Sequence, residues 1–487
     1  MRVLIYIGFA TSILLGASCK KYLAEEPKKQ ASIKTVDQLE ALVDNAPAFA
    51  YETNLTATYS TDDTEISKEL YKNNVTAFAI TNMQHYVSST QGIENLATDA
   101  LWTAEYKKIF TANVILKNID LVTGDEASRK RVKADAHFIR AMSYWILVNN
   151  YCAPYSPANL NTLGLPLKRT VDYEESLNRA TLKETYDFIL ADIEEAKKVV
   201  EADVDPRKTW RVSQKAISAF MSRYYLFTGD YPRSLSESNA ALDSSVVGLI
   251  DYNTILPGKS ASYSNPQAVV KYSELNDWNA AKFLYWKELY YCRFQSSPSQ
   301  WFMPSNALLN LYDQTNDLRY KHFMIPNAGR RFSVVTPAAY RYTIFSDGRY
   351  LLSGPSIAEI LLNKAEVLAR QGDIQNALLT VNTLRQKRMS TYIALTANNK
   401  DEAIKQVLAE RRRELPFVMR WYDMRRFSVN DYAADDITIQ RDFYQVNSTG
   451  VDLNTPKVYT LDSKQYLVPI NGVEMDASKG QIQQNPY

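Results

Sequence analysis

Flat aromatic side chains standing beside carboxamides and carboxylates are the residues of this chain best suited to hold a ligand. They are densest at about residues 246–350, where Asn276, Asp277 and Trp278 stand together and Tyr285, Trp286 and Tyr290 follow. A sugar ring offers a face of C–H groups and a rim of hydroxyls, so flat rings with donors and acceptors at their edges hold it. Tyr and Trp supply such rigid contact area with a polar tip. His85 and Tyr86 repeat the pairing within Tyr51 to Ser89, a stretch rich in Thr, Asn and Ser with little periodicity, expected to be loop. His85, Tyr86, Asn276, Asp277, Trp278, Tyr285, Trp286 and Tyr290 are therefore the candidate ligand-binding residues.

Other chemistries find less support. Three histidines, His85, His137 and His322, argue against a histidine-rich metal site or a histidine-based triad. A glycosidase needs two carboxyl groups ~5–9.5 Å apart, and Asp62-Asp63 and Glu174-Glu175 are the obvious pairs, but adjacent acids in polar stretches read as ordinary surface residues. Asp62, Asp63 and Glu65 lack the glycine-turned spacing of a calcium loop, so a solvated turn is expected there. No catalytic residue, metal or cofactor is assigned. A formal charge of +2 leaves no footprint for a polyanion, which sets nucleic acid aside as a partner.

The most basic stretch, Glu410-Arg-Arg-Arg-Glu-Leu415 and then Arg420-Trp-Tyr-Asp-Met-Arg-Arg-Phe427, has the composition of an anion patch. Glu410 stands three residues from Arg413 and Arg420 three from Asp423, so paired charges along helix faces account for it better. Trp421 and Phe427 make the segment half-buried.

Helices must position these residues. Ser356-Ile-Ala-Glu359 has the form of a capping box, and Ile357, Ile360, Leu361, Ala365 and Leu368 recur at the spacing of one buried face. Gly372-Asp373 ends that helix, and Ile374, Ala377, Leu378, Val381 and Leu384 begin the next. The unit has the ~34-residue length of a tetratricopeptide (TPR) pair. Ser222, Tyr225, Gly229, Asp230, Tyr231 and Ser234 repeat it at a constant offset, and such units bury their apolar faces only by stacking. Trp102, Tyr106, Ile109, Asn113, Leu116 and Ile119 form a further stripe, as do Ala134, Phe138, Ala141, Tyr144, Trp145 and Val148; Trp102 and Trp145 are read as core. The expected fold is mostly α, with stacked TPR-like pairs at about residues 95–152, 181–245 and 356–427 and a loop-rich, short-strand ligand-binding half at about 246–350.

At the N-terminus, Arg2 precedes an apolar run too short to span a bilayer, so residues 1–18 read as a signal peptide. Leu15-Gly16-Ala17-Ser18-Cys19 resembles a bacterial lipobox, which would place a diacylglycerol on Cys19. Residues 19–34 are then a lipidated tether and 35–487 one domain. Cys152 and Cys292 are isolated, and either pair or remain small buried hydrophobes.

Glu410-Arg-Arg-Arg-Glu-Leu-Pro-Phe417 with Arg420-Trp-Tyr-Asp-Met-Arg425 resembles the late signature of the SusD/RagB family, the surface glycan-binding lipoproteins of Gram-negative nutrient uptake. Val418 and Met419 depart from it, standing where an acid and a glycine are usual. Trp102 and Tyr106 with Asn113, Phe138-Ile-Arg-Ala141, and Leu467-Val-Pro-Ile470 with Gln484-Asn-Pro-Tyr487 are similar to other segments of that family. The resemblance implies an outer-membrane, cell-surface protein anchored through its N-terminal lipid, an oligosaccharide ligand, a SusC-like TonB-dependent transporter as partner, and no enzymatic activity. Two rival readings are a helical-repeat protein gripping peptide on its concave face and a glycoside hydrolase.

Overall fold

The computed structural model describes residues 33–255, 286–296, 302–326, 332, 339–342, 344 and 350–487 of the protein. The expected signal peptide, Cys19 and most of the tether lie outside these residues. Among the described residues, no helix is long and apolar enough to cross a membrane.

The fold is mostly α, as the apolar periodicity indicates. After α1 (Val36–Val43), α2 (Ala100–Asn118) pairs with α3 (Glu126–Tyr151), and α4 (Leu182–Ala196) packs on α3. Next come α5 (Gln214–Phe227) with α6 (Tyr231–Leu242), then α7 (Ile357–Gln371) with α8 (Ile374–Gln386). The stack closes with α9 (Lys400–Glu414) and α10 (Arg420–Phe427). The repeat seen in sequence is real. Gly229 and Gly372 turn the two matching pairs with φ of 78° and 87°, a left-handed conformation that costs a residue bearing Cβ. In one pair small Ala365 and Ala377 are both fully buried. In the other the matching Ser222 and Ser234 achieve the same closeness with a hydrogen bond, Ser234 Oγ to Ser222 O at 2.9 Å. Ser356 caps α7 by accepting from Glu359 N, but the return half of the expected box is missing: the Glu359 carboxylate pairs instead with Arg223 of α5 at 2.6 Å.

Strands are short except in one hairpin. β1 (Tyr51–Glu52) pairs parallel with β2 (Phe294–Ser296), which runs antiparallel to β3 (Tyr350–Leu352). β4 (Ile439–Val446) and β5 (Val451–Leu461) form a two-stranded sheet with a register shift at Tyr444/Gln445. The hairpin lies outside the region where strands were expected.

Residues 55–86 correct the loop reading. They hold short helices at Leu55–Tyr59, Lys68–Asn73 and Ile80–Tyr86. The Asn and Ser that suggested loop are caps: Asn54 accepts from Ala57 N and Ser67 from Leu70 N. Asp62 and Asp63 are not a solvated turn either. Asp62 pairs with Arg420 at 2.7 Å and Arg412 at 3.1 Å, and fully buried Asp63 with Arg412 at 2.6 Å. Arg420 is therefore not the partner of Asp423, which pairs with Arg411 and Arg426 at 2.7 and 2.9 Å. The expected Glu410–Arg413 pair is present at 2.7 Å, within a buried rather than half-buried segment. Cys152 and Cys292 are both free and buried.

Two expectations follow. Glu410 is fully buried and accepts from Arg319, Arg385 and Arg413; burial opposes its ionisation, and the three guanidiniums outweigh burial and hold its pKa well below the carboxylate range. Glu410→Ala should then lose about 3–5 kcal/mol of stability by urea unfolding, because it strands buried cations; a loss below about 1 kcal/mol would contradict the network's role. His85 is buried, which lowers its pKa from 6.5 to about 3. The unfolded chain protonates this residue near 6.5 and the folded chain only near 3, so its contribution to stability falls on acidification through that window, by at most about 1.4 kcal/mol per pH unit. Asp135, pushed up to about 6 by burial, acts in the opposite sense below that pH. The histidine part is therefore read as the difference between the protein and His85→Gln in urea unfolding at pH 7, 6 and 5, and parallel curves would reject it.

Candidate functional site

A cleft of about 470 Å³ opens where one face of α2 meets the loop at 166–177 and the C-terminal segment at 474–482. Asp99 fixes the start of α2, accepting from Leu101 N and Trp102 N at 3.0 and 3.1 Å and from the Tyr151 hydroxyl at 2.6 Å. From that anchor, positions spaced by four along the helix place Trp102, Tyr106 and Phe110 in a row along the cleft. Trp102 and Tyr106 lie with ring centroids 4.7 Å apart, and Trp102 is 4% exposed, so it forms the floor. Phe110 (39% exposed) and Tyr173 (86% exposed) stand at the rim with centroids 6.1 Å apart and planes 31° from parallel.

Polar groups edge the rings. Asp172, Lys168 and Thr170 come from the loop, and Thr103 and Glu474 from the two flanking segments. The loop holds its shape because Glu175 accepts from Arg169 N and Thr170 N at 2.8 and 3.1 Å. Burial and then the nearby Asp99 carboxylate push the Glu474 pKa up, against hydrogen bonds from the Thr103 and Trp102 side chains. Flat rings with oxygen-rich edges can receive a ligand that has an apolar face and a hydroxyl rim.

This cleft is built on the helices, not on the aromatic region where the ligand was expected. Asn276, Asp277, Trp278 and Tyr285 lie outside the described residues, as does Cys19. The other candidates are interior. Trp286 is 1% exposed and belongs to the main core, and Tyr290 is fully buried with its hydroxyl donating to Ala241 O at 3.0 Å. Both rings anchor the segment from residue 286 onto the helix stack, which burial of large aromatic area favours. Tyr86 is buried beneath the β4–β5 hairpin, edge-on to Phe443 and 4.0 Å from the Arg441 guanidinium, with its hydroxyl bonded to the backbone of Ile66. His85 makes a 3.0 Å contact from Nδ1 to Thr56 Oγ1 and borders only a void of about 30 Å³. Trp286, Tyr290, Tyr86 and His85 are thus all buried, and their contacts among the described residues are with the body of the fold.

The cleft's rim went unnoticed in the sequence. Phe110 falls one residue off the buried stripe that runs through Ile109, and a large apolar residue on the solvent side of an amphipathic helix is the signal that could have found it. Tyr173, set between Asp172 and Glu174 in a polar loop, is a comparable signal.

Comparison with known proteins agrees with the arrangement of helices. The model of a family described as "Starch-binding associating with outer membrane" matches residues 21–226, and that of the SusD family matches residues 357–487. The stretch between the two matches contains the aromatic-rich sequence at about residues 246–350. SusD-like protein P2 of Formosa agariphila is 25% identical over 156 residues, a match that spans 32% of this chain and only 29% of that relative's length. A SusD superfamily protein of Bacteroides thetaiotaomicron shares the fold at TM-score 0.66 and 17% identity, covering 93% of this chain and 100% of that one. Surface glycan-binding protein A from Bacteroides uniformis does so at TM-score 0.65 and 17% identity, covering 93% and 99%. With both ends of the domain matched by SusD models and the helix stack shared throughout, the chain belongs to the SusD/RagB family.

Proposed function

We propose that this protein captures oligosaccharides at the outer surface of a Gram-negative cell and passes them, uncleaved, to a SusC-like TonB-dependent transporter in the outer membrane. The observation that carries the reading is the cleft over α2, where Phe110 and Tyr173 offer accessible rings beside carboxylates and hydroxyls. Family membership supports it, as does the glycan-binding role in the name of the B. uniformis neighbour. A diacylglycerol on Cys19 would hold the body at the membrane, since lipid anchoring gains roughly 0.8 kcal/mol per buried methylene. A tethered protein meets its transporter at high effective concentration.

Affinity electrophoresis of the mature protein against a polysaccharide panel, followed by titration calorimetry with the matching oligosaccharides, tests the reading. At least one glycan should retard the protein, and Phe110→Ala with Tyr173→Ala should weaken it by about tenfold or more without shifting the melting temperature. Trp278→Ala is the second arm. Loss confined to that variant would move the site from the cleft to the aromatic region, whereas no retardation by any glycan would favour peptide or another nutrient. New reducing ends in a purified incubation would assign hydrolysis instead. Cys19→Ala should release the protein from the membrane fraction, and a membrane-bound variant would remove the lipid anchor from the proposal.

A further inference from the structure

The polar groups of the cleft are sorted by hydrogen-bonding sense. Apart from the Tyr173 hydroxyl, which stands in water at the rim, its side-chain donors are engaged inside the protein. The Tyr106 hydroxyl donates to Pro166 O at 2.9 Å, and Asn113 Nδ2 to Lys168 O and Thr170 O at 3.1 and 2.9 Å. The Thr170 hydroxyl donates to Glu175 at 3.1 Å and the Ser478 hydroxyl to Met475 O at 2.6 Å. Lys168 is the cationic residue of the described lining, and its ammonium donates to Glu175 O at 2.8 Å and Asp172 O at 3.4 Å, with the Glu175 carboxylate 3.9 Å away. That carboxylate is held ionised by the backbone amides of Arg169 and Thr170, against the effect of burial, so the lysine charge is already balanced.

What faces a ligand is therefore mainly acceptor capacity, with Asp172 as its exposed carboxylate. Asp172 uses one oxygen to accept from Glu174 N at 2.9 Å, and Glu474, which accepts from the Thr103 and Trp102 side chains, stands across the cleft with the half-buried Asp99 carboxylate close by. A ligand satisfies such a site by bringing O–H donors. A ligand carboxylate or sulfate would meet like charge, and the described lining has no cation left to receive it.

We propose that the cleft selects uncharged saccharides and rejects acidic ones, with Asp172 and Glu474 as the residues that set this specificity. The proposal rests on the glycan reading above and deepens it. Discrimination comes from repulsion of the wrong ligand as much as from attraction of the right one. It should weaken as salt rises, because the rim is within reach of solvent screening.

The test pairs ligands by size. Neutral malto-, cello-, xylo- and manno-oligosaccharides are titrated by calorimetry alongside oligogalacturonides and sulfated galacto-oligosaccharides of equal length, at low and high salt. The protein should bind at least one neutral series, with every acidic series weaker by roughly tenfold or more at low salt. Asp172→Asn combined with Glu474→Gln should narrow that ratio toward unity by raising the acidic affinities. Acidic ligands that bind as well as or better than neutral ones would overturn the proposal and leave the glycan reading standing. An unchanged ratio in the double variant would do the same, while failure of every saccharide to bind would overturn both.

Discussion

Buried guanidinium–carboxylate pairing is the constraint on which the rest of this structure depends. The helix pairs cover most of their surface with apolar contacts, but their inner seams are ionic. Glu366 accepts from Arg370 and Arg426, Glu410 from Arg319, Arg385 and Arg413, and Glu414 from Arg319 and Arg388. Arg388 also reaches Glu288, which joins the irregular segment after residue 286 to the helices. Arg223 with Glu359 fastens one repeat to the next, and Arg412 and Arg420 with Asp62 and Asp63 fasten the N-terminal helices to the C-terminal ones. Such pairs add little net stability, because desolvation offsets most of their attraction. Their effect is on uniqueness. Separating one of these pairs strands its charge in the interior, so the network penalises packings that apolar contact alone would tolerate.

That arrangement decides where ligand surface can exist. The segment at 55–86 is drawn into the body by Asp62 and Asp63, and β4 closes over it with Arg441 donating to Thr61 O and Thr64 O at 2.6 and 3.3 Å. Tyr86 is covered as a result by Phe443 and Arg441. On the other face α2 is flanked by the loop at 166–177 and by the C-terminal segment, which meet where Leu177 N donates to the Gln481 side chain at 2.8 Å and leave the cleft open between them. The terminal residues are themselves pinned. Gln484 exchanges hydrogen bonds with the backbone of Ile470, and Asn485 donates to Val468 O at 2.8 Å, so the 474–482 wall of the cleft is anchored at its far end.

The sequence made the helical half legible because its information is local. Stripes at helical spacing, small residues where helices cross, and Gly-Asp turns at Gly229 and Gly372 each depend on neighbours within one unit. The pairing of Asp62 with Arg420 spans 358 positions, and nothing near Asp62 announces it. Arg441 hid the β4 strand for a related reason: it is buried, yet its charge breaks the apolar–polar alternation that marks a half-buried strand. The aromatic residues were the hardest to read. Trp286 and Tyr290 have the composition of a sugar platform and the position of core anchors, and composition does not distinguish a ring that faces water from one that faces a helix. Phe110 shows the opposite error, since a stripe that was correctly taken as core drew attention away from the apolar residue beside it.

A cleft built on α2 differs physically from a site made of loops. Its floor and two of its rings ride on a helix whose first turn is capped and whose inner face is packed, so little conformational freedom remains to be lost when a ligand arrives. Affinity is limited on the other side of the balance. With its donors other than the Tyr173 hydroxyl already engaged, the cleft would offer a saccharide ring contact and fixed acceptors for its hydroxyl protons but few hydrogen bonds in return. Its rim is open and Tyr173 is mostly in water, so bound ligand stays partly solvated and its departure breaks only a few contacts. Differences in affinity between related complexes reside mostly in the rate of release. A rigid, one-sided site of this kind favours capture followed by rapid release over tight storage, which is the behaviour the proposed handover would need.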